Sequence, residues 1–365
     1  MPPEIGDFPQ LQDVNRDGIA VGEYDGPDGR THGCWADSEG GFGNLQDLFQ
    51  EAMLDFPGWR FAGARNINAA GKIAGRLSPI AQPSNTPDTL IVVGDLTMDP
   101  PTLTLVAQST DETGAVTQDM NEKGDLLVRV GGSTSYWLYR SPYMDAPERI
   151  EFPWETEAQS WRAASVNSRG QVLISANFLK TVRLNRKRTE TQTVPYAYLR
   201  ESESDGTITF TPLGASLAGN VTTPSLAEDG SVYTNQFDSD FSLSYSPTRW
   251  SPNQGWEMVS PLSGRVPVTS KADSGSTEVA IRATNGQEHV VYREGWGPYR
   301  IEVVQAQQTG GLELWYRTDA TPLMGMSRPN SAVDAGFICG WDAFIWYGGS
   351  RIEAGFILTP INVSN

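Results

Sequence analysis

Two aspartates and an asparagine alternate near the start of the chain, in the pattern that calcium-binding loops use. Asp13, Asn15 and Asp17 take the first, third and fifth positions, and a glycine follows. Oxygen ligands at these positions gather a hard cation such as calcium. The ninth and twelfth positions, which normally add oxygen ligands, hold Val21 and Tyr24. Two interpretations stay open: a calcium site, with no other cofactor expected, or a metal-free turn held by the asparagine side chain.

A second candidate site is a basic cluster in a chain whose net charge is −17. Its anion-binding candidates are Arg183, Arg186, Lys187 and Arg188. Guanidinium and ammonium groups bind carboxylates and phosphates through charge-assisted hydrogen bonds. The cluster therefore predicts a site for an anion or an acidic glycan. A solvated hairpin tip is the competing interpretation, since basic side chains are mostly exposed.

The sequence nominates no catalytic residues. The chain has two histidines, His32 and His289, which excludes a site built from three or more histidines. No nucleophile-elbow motif is present. A pair of carboxylates can hydrolyse glycosides, but the 44 acidic residues do not single out a pair. Whether the protein is an enzyme stays open, and a non-catalytic role is favoured.

A short turn motif recurs along the chain and indicates repeated β-hairpins. In the best copies an asparagine precedes a glycine by three residues, and an aliphatic run follows. The asparagine side chain can bond its own backbone and glycine accepts positive φ, so the chain reverses there. The turn glycines lie about 53 residues apart on average, which is the length of a propeller blade. They are Gly18, Gly71, Gly124, Gly170, Gly230, Gly275 and Gly336.

These repeats predict an all-β chain, organised as a single closed β-propeller domain over residues 1–365. Each unit adds an aromatic strand after its hairpin, which indicates three to four antiparallel strands per blade. Seven blades are expected, and six are the alternative because the motif around Gly275 is weak. The segment around residues 5–8 is expected to supply the outer strand of the last blade, which would close the ring and remove exposed sheet edges.

Three segments depart from the repeat. Residues 44–54 carry apolar side chains at helical spacing after Asn44, which predicts a short helix with that asparagine as its N-cap. The proline-rich stretch 79–101 predicts an extended loop. The stretch 309–330 is expected to be irregular and to cover one face of the ring.

The two cysteines, Cys34 and Cys339, are too few for a scaffold built from disulfides. They lie in the first and last repeats, which are neighbours in a closed ring. Two interpretations stay open: a disulfide between Cys34 and Cys339 that would join the first and last blades, or two free thiols.

The best copies of the repeat resemble the HAF-type repeats of bacterial extracellular proteins. The HAF pattern is Ala-x-x-Ile-Asn-x-x-Gly-x-Val-x-Gly followed by an aromatic strand. Residues 59–75 match it best, residues 164–172 match it closely, and residues 354–360 resemble the usual end of such chains. The resemblance implies a propeller fold and a secreted or cell-surface location. It implies no reaction and no catalytic residues.

The overall charge and hydropathy restrict the partners. A net charge of −17 repels nucleic-acid backbones. No apolar run approaches the length of a membrane span, and no signal peptide precedes the first repeat. A monomer is expected. The favoured function is a non-catalytic extracellular binding or scaffold propeller for a glycan or protein. The alternative is a polysaccharide lyase or glycoside hydrolase acting in the central funnel.

Overall fold

The structure is a computed structural model that describes most of the chain. The described residues are 10–37, 41–81, 89–109, 114–131, 135–185, 188–203, 205–215, 225–237, 245–258, 265–269, 278–284, 288–293, 297–302, 323–332, 338–347 and 350–358.

The described residues form seven antiparallel sheets, and the strands of each sheet pair in chain order. Sheet 1 contains β1 (Gln10–Val14), β2 (Ala20–Asp25), β3 (Thr31–Ala36) and β4 (Phe42–Asn44). Sheet 2 contains β5 (Trp59–Ile67), β6 (Lys72–Pro79), β7 (Thr89–Asp95) and β8 (Thr102–Ser109). Sheet 3 contains β9 (Ala115–Met120), β10 (Leu126–Val130), β11 (Tyr136–Tyr139) and β12 (Glu148–Ile150).

The remaining four sheets repeat this arrangement. Sheet 4 contains β13 (Ser160–Val166), β14 (Val172–Asn185), β15 (Arg188–Ser202) and β16 (Ile208–Ala215). Sheet 5 contains β17 (Ser225–Leu226), β18 (Val232–Phe237), β19 (Tyr245–Ser251) and β20 (Gly255–Met258). Sheet 6 contains β21 (Arg265–Thr269), β22 (Glu278–Thr284), β23 (Glu288–Arg293) and β24 (Gly297–Glu302). Sheet 7 has three described strands, β25 (Leu323–Ala332), β26 (Ile338–Tyr347) and β27 (Ser350–Leu358).

The predicted all-β class, with antiparallel units of three to four strands, is confirmed. Five of the seven predicted turn glycines lie between the first and second strands of sheets 1 to 5, with φ from 73° to 87°. An L-residue with a Cβ is strained at such angles. The other two turn glycines, Gly275 and Gly336, lie outside the described residues. The predicted aromatic strands are the third strands of their sheets, as at Trp35, Trp250 and Tyr292.

Apolar side chains pack between successive sheets. One buried cluster joins sheets 1 and 2 around Leu45, Phe49 and Phe61, and other clusters join sheets 2 to 3, 3 to 4 and 4 to 5. The first strands of the sheets make many of the contacts between sheets, as in β1 with β5 and β5 with β9. The first strand of the chain, β1, also contacts β25, β26 and β27 of the last sheet.

The predicted helix after Asn44 is confirmed as a short α1 (Leu45–Leu48), followed by a 3-10 turn over Ala52–Asp55. The Asn44 side chain accepts a hydrogen bond from the backbone N–H of Gln46 at 2.7 Å, which caps the first turn. Among the described residues no helix is long and apolar enough to cross a membrane.

Two expectations about loops are wrong in part. The stretch 79–101 contains β7, because a run of aliphatic residues between the prolines pairs with β6 and β8. The stretch 309–330 ends in β25, which pairs with β26; its earlier part, 309–322, lies outside the described residues. The predicted outer strand around residues 5–8 also lies outside them.

Candidate functional site

The predicted calcium loop forms the turn between β1 and β2. The Asn15 side-chain oxygen accepts hydrogen bonds from the backbone N–H groups of Asp17 at 3.1 Å and Ile19 at 2.9 Å. The Asp13 carboxylate accepts one from the backbone N–H of Ile67 in sheet 2, at 2.8 Å. The Asn15 side chain therefore holds the turn, and the Asp13 carboxylate joins sheet 1 to sheet 2. In the described part of the chain, no three His, Cys, Asp or Glu side chains are grouped to hold a metal. The calcium site stays a prediction.

The same turn recurs in the next three sheets, which explains the repeated asparagine. Asn68, Asn121 and Asn167 are buried, and each accepts a hydrogen bond from the N–H four residues later. Their side-chain N–H groups donate to the turn carbonyl of the next sheet, as from Asn121 to Asn167 at 2.9 Å and from Asn167 to Ala227 at 3.2 Å. The asparagines therefore close their own turns and also tie neighbouring sheets together.

The predicted basic cluster lies at the end of the long β14–β15 hairpin. Arg186 and Lys187 lie outside the described residues, as do the side chains of Arg183 and Arg188. The pairing of β14 with β15 shows that the segment is a hairpin. Anion binding at this tip stays a prediction.

The predicted disulfide partners lie in the first and last sheets. Cys34 is a buried free thiol, and burial raises its pKa. Cys339 lies in β26, and its side chain is outside the described residues. The disulfide between Cys34 and Cys339 stays a prediction.

A charged pocket that the sequence analysis did not single out lies where sheets 1, 2 and 3 meet. Its lining comes from β2, β5, β6, β7 and β9, and it has room for a small group of about the size of a water molecule. The charged side chains in the lining are Glu23, Arg65 and Arg76. The Glu23 carboxylate pairs with the Arg76 guanidinium at 3.1 Å, and both groups are partly exposed.

Two backbone features shape this pocket. A Cβ at Gly63 would stand 2.6 Å from the Glu23 carboxylate, so glycine leaves the space that the carboxylate fills. Arg65 is the extra residue of a β-bulge, because Ala64 pairs with Gly75 while Asn66 pairs with Ala74. A bulge redirects the side chain at the unpaired position and is common beside functional sites.

Further arginines extend the positive charge into sheets 3 and 4. Arg129 lies on β10 as the cross-strand partner of Val116, which lines the pocket, and of Tyr136. A hydrogen bond joins the Tyr136 side chain to Arg129, and the charge of Arg162 also acts on Tyr136. We call the four arginines Arg65, Arg76, Arg129 and Arg162 the arginine cluster.

The pocket lining carries more positive than negative charge, because it holds two guanidinium groups and one carboxylate. Arg65 is exposed as a residue, but partial desolvation of its guanidinium group lowers its pKa. Glu23 opposes that shift, and the charges of Arg76 and Arg129 add to it. Burial likewise lowers the pKa of Arg162. An arginine keeps its proton despite such shifts, so the one carboxylate in the pocket lining faces two guanidinium groups, those of Arg65 and Arg76. An anionic group entering the pocket would relieve this repulsion and would meet donors suited to carboxylate, sulfate or phosphate oxygens.

A repeat offset could have revealed this site. The residue eight positions after the turn asparagine lies on the second strand of sheets 1 to 4 and is Glu23, Arg76, Arg129 or Ser175. The three preceding residues of those strands are glycine or aliphatic, so a charge at this offset in three of four copies breaks the pattern. Arg65 carries no comparable sequence signal, because in the first four sheets its position relative to the turn asparagine is charged only in sheet 2.

Comparisons with known proteins identify no family. No protein-family model matches the chain, and neither does any curated protein. The solved structures that it resembles include a prolyl endopeptidase studied for inter-domain dynamics, at 13% identity and a TM-score of 0.48, with 98% of this chain and 48% of that chain covered. A post-proline cleaving enzyme from Rickettsia typhi has 10% identity, a TM-score of 0.39, and coverage of 94% and 58%.

A protein of unknown function from Dyadobacter fermentans DSM 18053 has 10% identity, a TM-score of 0.34, and coverage of 98% and 100%. The chain spans about half the length of the two peptidases, 48% and 58%. Similarities of this strength assign neither an activity nor a substrate to the chain.

Proposed function

We propose that the chain is a closed seven-bladed β-propeller that binds an anionic ligand without turning it over. Ring closure is supported by the order of the sheets, each of which packs on the next, and by the contacts of β1 with β25, β26 and β27. In such a ring the first strand of each sheet is the innermost strand. The bulged Arg65 and the neighbouring pocket then lie beside the central funnel.

The arginine cluster is the observation that carries the proposed binding function. In a chain of net charge −17, the pocket lining holds two guanidinium groups and one carboxylate. The charge of Arg129 from sheet 3 also acts on Arg65. A local positive field inside an acidic protein steers small anions to one place and repels them elsewhere. The ligand would be an acidic glycan or an acidic group of a protein.

The same pocket favours binding over glycoside hydrolysis. Glycosidases use two carboxylates that flank the scissile bond. In the part of the chain that the structure describes, Glu23 is the single carboxylate of the pocket lining, and it is already paired with Arg76. A secreted or cell-surface location, a monomeric state and the HAF-type origin of the repeats are further parts of the proposal.

Removing a guanidinium from the pocket should weaken ligand binding. We expect the wild-type protein to be retained on immobilised polygalacturonate or heparin and not on neutral dextran. Arg76→Gln and Arg129→Gln should each weaken retention on the acidic polymers by roughly tenfold or more, because hydrogen bonds to charged groups contribute that much. Surface plasmon resonance at two salt concentrations measures the effect, and binding should weaken as salt rises.

The matched control is Arg149→Gln, which removes an exposed arginine on β12, in the same sheet as Arg129. It should bind like the wild type. Equal binding by all three variants would overturn the proposed site. Release of an unsaturated or reducing sugar during incubation would overturn the non-catalytic assignment in favour of a lyase or hydrolase.

Removing the carboxylate should have the opposite effect. The Glu23 carboxylate forms an ion pair with the Arg76 guanidinium in the free protein. It therefore competes with an incoming anion for that guanidinium. Glu23→Gln should therefore raise the affinity for polygalacturonate by roughly threefold to tenfold, as expected when a like charge near the ligand is removed. Weaker binding by Glu23→Gln, measured by the same resonance assay, would show that Glu23 contacts the ligand directly.

A further inference from the structure

A row of equivalent bulges suggests what kind of anion the pocket takes. The unpaired residue of the bulge lies three positions before the turn asparagine in each of the first four sheets. These residues are Gln12, Arg65, Gln118 and Ala164. Each lies on the first strand of its sheet, so the row presents an amide, a guanidinium and a second amide on neighbouring strands.

Hydrogen bonds between the sheets show that these strands lie side by side. Asp13, next to Gln12, bonds to Ile67, which is two residues after Arg65. On the other side, Gln118 follows Thr117, which lines the pocket together with Arg65. Both glutamines are partly exposed. The two amides therefore lie on the strands on either side of the strand that carries Arg65.

This combination matches a hydroxylated carboxylic acid. The planar guanidinium fork suits a carboxylate, while an amide both donates and accepts hydrogen bonds, as a sugar hydroxyl does. The pocket has room for about one water molecule, so the carboxylate would lie at its mouth against the exposed Arg65, and the rest of the ligand would lie along the row. A bare inorganic anion has no hydroxyl-bearing ring to use the two amides.

We propose that the ligand is a uronic acid residue of an acidic glycan, with its carboxylate on Arg65 and the neighbouring guanidinium groups and its ring hydroxyls on Gln12 and Gln118. This inference rests on the proposed function and specifies its ligand. Sulfated glycans and acidic peptides share the negative charge but not a carboxylate placed next to ring hydroxyls.

The test compares probes that differ in one feature. Titration calorimetry would use tri-galacturonate, its methyl ester and inorganic sulfate. We expect tri-galacturonate to bind more tightly than the other two. Gln12→Ala and Gln118→Ala should each weaken tri-galacturonate binding by roughly tenfold, the loss typical of one or two hydrogen bonds, and should leave sulfate binding unchanged.

Gln108→Ala, an exposed glutamine on β8, is the matched control and should bind tri-galacturonate normally. If the two bulge variants bind tri-galacturonate like the wild type, or if sulfate or the methyl ester binds as tightly as tri-galacturonate, the uronate assignment is overturned. The proposed anion site is tested separately: Arg76→Gln should lose binding of all the anions, and unchanged binding by this variant would overturn the site. Thermal melting of each variant confirms that the fold is retained.

Discussion

Replacing Glu148 by glutamine is expected to destabilise the protein by about 3 kcal/mol, a large effect for one partly exposed carboxylate. Glu148 on β12 pairs with Arg200 of β15 at 2.5 Å, and Arg200 is completely buried. Two of the Arg200 guanidinium nitrogens, Nε and Nη1, have no hydrogen-bond partner among the described residues. Without Glu148, a buried charge would lose the one ion pair that the structure gives it.

The charged groups around this pair cannot compensate for the loss of the Glu148 carboxylate. Arg140 bridges Glu148 at 3.4 Å and Asp125 at 3.3 Å, so it offers positive charge and cannot replace the lost carboxylate. Urea unfolding of Glu148→Gln against the wild type measures the change. The exposed Glu151→Gln, three residues away, is the matched control and should change the free energy of unfolding by less than about 0.5 kcal/mol.

A double variant tests the cause. In the Glu148→Gln background, Arg200→Met removes the uncompensated charge and fills similar space, so it should recover about 2 kcal/mol. The expectation is unusual because a second substitution, at a buried residue, is predicted to raise the free energy of unfolding of the Glu148→Gln variant. A double variant that is less stable than Glu148→Gln alone would refute the interpretation that unpaired buried charge causes the loss.

Replacing Asn121 by alanine should cost about 2–4 kcal/mol of unfolding free energy. The side chain is fully buried. It accepts from the Asp125 N–H at 2.8 Å, and it donates to the Asp125 carboxylate and to the Asn167 carbonyl, each at 2.9 Å. The substitution would leave buried polar groups without partners in sheet 3 and would also remove a link to sheet 4.

The matched control is Asn177→Ala, because Asn177 makes an exposed side-chain bond to Ser160 at 3.1 Å. We expect a change within about 0.5 kcal/mol for this variant. Both are compared by urea unfolding followed through tryptophan fluorescence. Similar small losses in the two variants would show that the buried asparagine contributes little to holding the sheets together.

The fifth sheet shows that the turn can also form without the asparagine. Ala227 takes the place of the asparagine there, and the Asp229 carboxylate accepts the N–H of Ser231 at 2.8 Å instead. In the turn of sheet 3, Lys123 stands at the position of Asp229. An ammonium group cannot accept a hydrogen bond from the backbone N–H. Sheet 3 therefore depends on its asparagine in a way that sheet 5 does not.

Much of the local architecture could be predicted from the sequence. Glycine at positive φ and asparagine bonding its own backbone are properties of single turns, so the hairpins at Gly18, Gly71 and Gly124 were predictable from a few residues. The same holds for the Asn44 cap. The strand β7 was missed because flanking prolines outweighed its aliphatic run, although those prolines lie outside the strand.

The candidate site was less predictable, for a physical reason. Asp13 looks like a calcium ligand in sequence, but in the structure its carboxylate bonds to a backbone N–H of the next sheet, 54 residues away. Arg65 looks like an ordinary strand residue, and a register shift against β6 redirects it. Both roles depend on how strands pair and how sheets pack, and neither is encoded in a local pattern.

The antiparallel β units of this protein are predictable from short stretches of sequence, because turn chemistry and alternating burial act over a few neighbouring residues. The proximity of Glu23, Arg65, Arg76 and Arg129 is not predictable in this way, since it depends on tertiary packing. They come from three different sheets, and their charges interact only because buried apolar clusters hold those sheets face to face.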